Sequence, residues 1–414
     1  MTVHIVGAGL SGLAAAVELT RLGIPVALHE AAAQAGGRCR SYHDKNLDRV
    51  IDNGNHLVLS GNEHVRRYLK LIGAEDRLVG PAGDGFRFLD LLRGSEFRLR
   101  PNRGALPWWV FSEKRRVPHT RALHYLGALK LAFAGSKSVG DVLPRNELYR
   151  VLWEPLAVSA LNTAAEAASA RGFWRVLAAT LARGGAKSQP LIARHDLADT
   201  FVTPALAYLE RHGAAFHTGR RVKGLKRDGQ RATALEFDEG ESVVAPGDCV
   251  IVAVPPTIAE RLVPGLSASF EDEPIVNAHF ATGDPEGTPL EIVAIVGGDA
   301  HWVFRRPGLA SVTVSAARAM VDEAPESLAP RLWKDVARAF PALGEALPPY
   351  RIIKEKRATI RQTPADEARR PEPQTSLGNV WLAGDWTRTG LPATIEGSLL
   401  SGFRAAALAR AAKS

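Results

Sequence analysis

Gly7-Ala8-Gly9-Leu10-Ser11-Gly12 places three glycines at G-x-G-x-x-G spacing directly after the apolar run Val3–Val6. In a phosphate-binding turn the first glycine lets the chain reverse. The second removes a Cβ that would block a diphosphate, and the third lets a helix lie close to a strand. Ser11–Leu22 is rich in Ala and Leu and reads as that helix; its free N–H groups and dipole favour an anion. Leu10 and Ser11 open it and belong to the same cradle. Gly23 stops it, Ile24–Glu30 reads as a second strand, and Glu30 stands 18 residues beyond Gly12. A carboxylate there accepts from ribose hydroxyls and repels a 2′-phosphate, so the pattern predicts a dinucleotide other than NADP.

Three further segments point to FAD rather than NAD. Gly36-Gly37-Arg38 follows Glu30 closely. A glycine pair brings N–H groups near phosphate and an arginine neutralises it, whereas the bland alternative is a surface turn. Asp52-Asn53-Gly54-Asn55-His56 sets a glycine where the chain could pass beside a flat ring, so Gly54, Asn55 and His56 join the cofactor set. Near the C-terminus Gly384-Asp385 precedes Thr394-Ile395-Glu396, the start of a predicted helix Thr394–Ala412. Asp385 could hold ribityl hydroxyls or diphosphate, and the helix N-terminus suits the negative charge of reduced flavin. Val222, in the alternating stretch Phe216–Phe237, is counted with them. Gly397 and Gly402 each cost that helix about 1 kcal/mol relative to Ala, which predicts a close contact there.

Positioning these residues requires a Rossmann-type layer assembled from distant parts of the chain. Asp248–Val254 and Val380–Ala383 read as buried parallel strands. Phe216–Phe237 alternates, with turns expected at Gly224 and Asp228-Gly229. Ala122–Ala134, Leu148–Leu161, Phe173–Ala182, Phe201–His212 and Pro330–Phe340 read as helices, and Ile292–Val296 and Ser311–Ser315 as strands of a second sheet. The expectation is an α/β fold with a Rossmann-type FAD-binding domain (1–75, 214–265, 350–414) and a discontinuous mixed α+β substrate domain (76–213, 266–349).

With 414 residues, 46% hydrophobic and 23% charged, the chain can build two cores. No apolar run approaches the ~20 residues of a membrane span, and no secretory signal precedes the first strand, so a cytoplasmic location is expected. Cys39 and Cys249 are read as packing residues, and no metal-ligand cluster appears. The net charge of +8 is uneven: Phe97–Arg121 holds seven Arg and Lys against Glu113, interleaved with Trp108, Trp109 and Phe111. Segment 97–134 therefore suits either a lipid headgroup boundary, on the inner face of a bacterial membrane, or a solvated loop over core aromatics. No recognised motif supports nucleic-acid binding.

The cofactor segments resemble the flavin-containing amine oxidase and carotenoid-desaturase superfamily. Asp52–His56, Trp153-Glu154-Pro155-Leu156, Ala160-Leu161-Asn162-Thr163 and Ala383–Thr387 with Gly390–Gly397 resemble, more narrowly, the squalene-associated desaturases understood as hydroxysqualene dehydroxylases of bacterial hopanoid synthesis. That resemblance implies an amine oxidase-like two-domain flavoprotein in which reduced FAD delivers hydride to hydroxysqualene, releasing water, with the C30 chain in an apolar tunnel. It leaves a carotenoid- or phytoene-type desaturase, an amine oxidase and a non-catalytic lipid escort protein as rivals. His56 is the candidate proton donor, weighed against a role in orienting flavin; Glu154 and Asn162 are weaker candidates, each of which could instead cap a helix, and Trp386 could wall the substrate site or lie in the core. Oligomeric state is not readable.

Overall fold

The computed structural model describes residues 1–412. Five short strands form a wholly parallel sheet: β1 (Val3–Val6), β2 (Val26–His29), β3 (Ala215–His217), β4 (Cys249–Val252) and β5 (Val380–Leu382), in the order β3-β2-β1-β4-β5. Alternation splits the central strands between two cores. Ile5 and Ile251 face helices α1 (Leu10–Arg21) and α2 (Ile395–Ala411). Val6, Val250 and Val252 face a three-stranded antiparallel sheet, Gly224–Asp228, Arg231–Glu236 and Glu241–Val243. This two-sided burial explains the near-continuous Val/Ile composition of β1 and β4.

The chain's two ends meet in this layer. β4 pairs with β1 on one side and β5 on the other. Helices α1 and α2 touch at backbone distance, because a Cβ at Gly402 would strike the Ser11 carbonyl oxygen. The helical penalty of Gly402 is thus the cost of that close approach.

A seven-stranded mixed sheet forms the second layer, in the order Tyr350–Ile360, Asp272–Ala281, Leu309–Val314, Trp302–Arg306, Glu291–Val296, Phe86–Asp90, Ser95–Leu99. One face carries helix Pro325–Ala339 over Val293, Ile295 and Val303. The other carries the aromatic-rich helices of 122–179 over Phe86, Phe88 and Trp302.

The expected elements change in detail. Gly224 begins a strand instead of a turn, and the hairpin reverses at Asp228-Gly229 alone. The helix expected at Pro330 starts at Pro325, where proline sits without loss in a first turn. The helices expected to begin at Leu148 and Phe201 open as wider π-helical turns, Tyr149–Trp153 and Ala198–Val202, before becoming α-helical. Tyr350–Ile360 is the edge strand of the second sheet, so 350–360 belongs there; helix Thr203–Arg211 belongs to the core of α1 and α2 through Ala205 and Leu209.

Candidate functional site

The three fingerprint glycines meet different surroundings. Gly7 has φ +102°, and a Cβ there would lie 2.5 Å from the Ala253 carbonyl oxygen. At Gly12 a Cβ would collide with the Gly7 carbonyl oxygen, since α1 sits directly on its own entry turn. Gly9 differs: its backbone is extended (φ −73°, ψ 176°) and a Cβ would meet nothing within 4 Å. Nothing in the protein forbids a side chain at Gly9, so the open space before the helix N-terminus is what its absence preserves. Leu10 and Ser11, both buried, form the first helical residues beneath that space.

The Gly36-Gly37-Arg38 turn closes over this cradle. Gly36 N–H donates to the Ala8 carbonyl at 2.8 Å, and a Cβ at Gly37 (φ +55°) would lie 3.4 Å from Gly9 Cα. Glu30 ends β2 with its carboxylate tethered, accepting from Ala8 N–H at 2.7 Å and Ala32 N–H at 2.8 Å. Each oxygen retains a lone pair. Arg220 N–H donates to the Glu30 carbonyl, which brings the following Val222 beside this end of the sheet; its side chain is buried against the core of Val6 and Phe237.

From the other end of the sequence, Asp385 reaches Arg38: Arg38 Nη2 lies 2.7 Å from Asp385 Oδ2, and Nη1 donates to the Ala358 carbonyl at 2.5 Å. Burial pulls the Arg38 guanidinium down, but the Asp385 carboxylate more than offsets it and the pKa is raised. The loop bearing Gly384-Asp385 is held by Arg370, 1% exposed, which donates to the Asp385 carbonyl, to the Leu391 carbonyl at 2.6 Å and to Glu367 at 2.7 Å. Gln362, fully buried, donates to the Leu161 carbonyl at 2.6 Å and accepts from Ala393 N–H at 2.7 Å.

At the start of α2, Thr394 Oγ1 accepts from Gly397 N–H at 3.2 Å, and Ser398 N–H returns to the Thr394 carbonyl. The N–H groups of Ile395 and Glu396 are left without a helical acceptor. The Glu396 side chain does not join them: its two oxygens accept from His64 N–H and Val65 N–H, capping helix Glu63–Ile72. Glu396 can therefore offer a flavin its backbone, not its carboxylate.

The segment before His56 is latched to the second sheet. Asn55 Nδ2 donates to Thr313 Oγ1 at 3.1 Å, Thr313 Oγ1 donates to Asn277 Oδ1 at 2.8 Å, and a Cβ at Gly54 would lie 3.1 Å from Asn277 Nδ2. Burial, with the Arg38 charge adding, lowers the His56 pKa to about 4, so the imidazole is neutral near pH 7 and suited to hydrogen bonding rather than acid catalysis.

The remaining candidates serve packing and helix ends. Asn162 adopts a left-handed conformation (φ 44°) and pins its helix end, donating to the Glu273 carbonyl and Thr359 Oγ1 at 3.0 Å each and accepting from Ala316 N–H at 2.7 Å. Glu154 is raised by burial and by the neighbouring Glu166 charge, beside Arg145 at the surface. Trp386 is core, 2% exposed, its indole N–H donating to the Val254 carbonyl at 3.0 Å. Cys39 and Cys249 are buried free thiols; burial pushes Cys39 up to about 12. Among the described residues no His/Cys/Asp/Glu group could hold a metal ion.

Sequence reasoning missed Arg370, Gln362, Asn277 and Thr313. Their partners are backbone groups or side chains brought in by tertiary structure, which no local spacing marks.

Open space at Gly9, the tethered carboxylate of Glu30, the cationic Arg38 and the bare N–H groups of α2 fit the diphosphate, ribose and ring of FAD in turn. The model of the flavin containing amine oxidoreductase family matches residues 10–409. The chain is 45% identical over 409 residues to the hydroxysqualene dehydroxylase of Sinorhizobium fredii, covering 98% of each chain. It is also 45% identical over 415 residues to that of Rhodopseudomonas palustris, covering 99% of each. A solved putrescine oxidase superposes with a TM-score of 0.72 at 16% identity, covering 98% of both chains, which shows the fold. The chain belongs to the flavin-containing amine oxidoreductase family and, within it, to the hydroxysqualene dehydroxylases.

Proposed function

We propose that this protein is an FAD-dependent oxidoreductase that converts hydroxysqualene to squalene with release of water. The observation that carries the reading is the 45% identity to hydroxysqualene dehydroxylases along almost the whole chain. The geometry of the cradle supports the cofactor. Gly9 and the α1 N-terminus would receive the diphosphate, Glu30 the ribose, and Arg38 with Asp385 the phosphate–ribityl region. The N–H groups of Ile395 and Glu396 would face the ring's negative edge. When bound, reduced FAD supplies hydride.

The protein's own residues prepare that transfer. Protonation of an allylic hydroxyl and its loss as water leave a delocalised cation, which must be kept from further water until hydride reaches it; the proton comes from solvent or from reduced FAD itself. Leu57 and Leu59, just beyond His56, pack against an aromatic-rich core that includes Trp153, Phe173 and Trp302, and would form the apolar wall nearest the ring. His56, held neutral, serves as a hydrogen-bonding group next to the reacting region. The FAD-binding part comprises 1–75, 214–265 and the chain beyond 361, with the Thr203–Arg211 helix; the second sheet and its helices form the substrate part.

Anaerobic incubation of the holoenzyme with hydroxysqualene and reduced FAD, followed by mass spectrometry, should show squalene. Unchanged alcohol, together with dehydrogenation of a phytoene-type polyene under oxidising conditions, would instead support a desaturase. A protein that stays colourless after exposure to FAD would support a carrier.

A further inference from the structure

The segment Phe97–Lys137 presents the reverse of an ordinary surface. Of the eleven large hydrophobic residues exposed among the described residues, seven lie between 106 and 133. In helix Ala122–Tyr125 and its 3₁₀ continuation Leu126–Phe133 they follow helical spacing: Leu123 (73% exposed), Leu126, Leu129 and Phe133 (90% exposed) share the outward face. Leu131 is buried on the inward face. Trp108 and Phe111 extend the apolar strip from the preceding turn, which joins the helix through the Trp109–Tyr125 edge-to-face contact, ring centroids 5.2 Å apart.

Charge is concentrated in the same place. Phe97–Lys137 contains nine Arg and Lys and, as its only acid, Glu113. That surplus of eight equals the net charge of the whole chain; the other 43 basic and 43 acidic residues cancel. Among the described residues only Arg116, bound to Glu113 at 3.3 Å, makes an ion pair among these nine. A helix whose outward stripe is apolar, flanked by unpaired cations and tryptophan, matches the boundary between acyl chains and anionic headgroups. Among the described residues no helix is long and apolar enough to cross a membrane, so the match is to lying on a surface.

We propose that residues 106–133 form a docking face for an anionic lipid bilayer, with Leu123, Leu126, Leu129, Phe133, Trp108 and Phe111 entering the acyl boundary and Lys114, Arg115 and Arg121 held at the headgroups. The face continues inward: Trp109 meets Tyr125, Tyr125 meets Trp153 at 6.1 Å and Trp153 meets Phe173 at 6.5 Å. These rings link the docking face to the apolar cluster that adjoins Leu57. The assignment stands on the surface alone and does not depend on which lipid the enzyme transforms.

The test is flotation of the holoenzyme with substrate-free vesicles of phosphatidylcholine, and of phosphatidylcholine mixed with phosphatidylglycerol. Wild type should partition to the anionic vesicles and be released as salt rises. Leu126→Ser/Phe133→Ser and, separately, Lys114→Glu/Arg115→Glu should each lower that partition by about tenfold or more. Both pairs are exposed, so flavin absorbance and melting temperature should match wild type. Absence of wild-type binding to either vesicle overturns the lipid assignment and leaves the face to a protein partner. Undiminished binding by both variants overturns the placement at 106–133. Neither result touches the reaction, which is read from products in detergent.

Discussion

Gly9→Ala separates the requirements of the fold from those of the cofactor. At φ −73° and ψ 176° alanine is comfortable, and its methyl group meets no protein atom within 4 Å. By restricting the unfolded chain, the substitution should stabilise the apoprotein by about 0.4–1 kcal/mol. The same methyl occupies the space through which a diphosphate would approach the N-terminus of α1. Displacing the diphosphate by enough to lose one charge-assisted hydrogen bond costs about 1.5–3 kcal/mol, or roughly 10- to 150-fold in affinity. The two effects therefore have opposite signs: apoprotein melting no lower than wild type, and FAD affinity, titrated by flavin fluorescence, at least tenfold weaker. Gly12→Ala should do the reverse to the apoprotein, because its Cβ strikes the Gly7 carbonyl; overpacking of this kind costs about 1–3 kcal/mol. If Gly9→Ala takes up FAD with wild-type affinity, the diphosphate does not lie at this turn and the cradle has been misplaced.

Arg370→Met should lower stability by about 3–5 kcal/mol, measured by urea unfolding, because Glu367 and two carbonyls lose a buried cation; loss below 1 kcal/mol would show that the loop before α2 holds itself. His56→Gln should retain turnover within about tenfold and leave the pH profile of kcat/KM unchanged between pH 5 and 8, since a group with a pKa near 4 does not titrate there; loss of an alkaline limb on substitution would make His56 the proton donor. His29 has both ring nitrogens buried without partners, stacks between His4 and His217, and is lowered to about 3 by burial and by these neighbours. The unfolded chain takes up this proton near pH 6.5 and the folded one only near 3, so stability falls as pH drops below 6.5. His29→Phe should recover about 2 kcal/mol of the stability lost between pH 7 and 5; equal losses in both proteins would show that another group governs acid lability.

The turns and helix ends that build the proposed cofactor cradle were legible because their rules are local. Gly7, Gly12 and Gly402 are positions where a Cβ cannot exist, and Glu30 falls at a strand end set by a helix of ordinary length. Such constraints leave a mark in spacing. Arg370 and Gln362 leave none, because they bind backbone groups that become neighbours only after folding: Gln362 lies next to Leu161 and Ala393 at once. Asn162 and Glu396 were visible as motif residues, but motif membership does not say which end of a side chain is engaged. Asn162 closes a left-handed helix end, and Glu396 spends its carboxylate on another helix. The expected turn at Gly224 failed for a similar reason, since a glycine can also begin an antiparallel strand. Helix Thr203–Arg211 packs on α1 and strand Tyr350–Ile360 on the edge of the second sheet, neighbours that no local spacing marks.

In the nucleotide-binding sheet β1 lies between β2 and β4, and β5 completes the sheet from residues 380–382. A nascent chain therefore carries its glycine turn without the helix and aspartate of the proposed cradle until residues 380–411 have been made. With the cradle as proposed, flavin capture must follow synthesis of β5 and α2, and β1 must wait for β4, more than two hundred residues on, before its second edge is paired. A nonsense mutation anywhere before α2 would yield an incomplete apoprotein rather than a weakened enzyme.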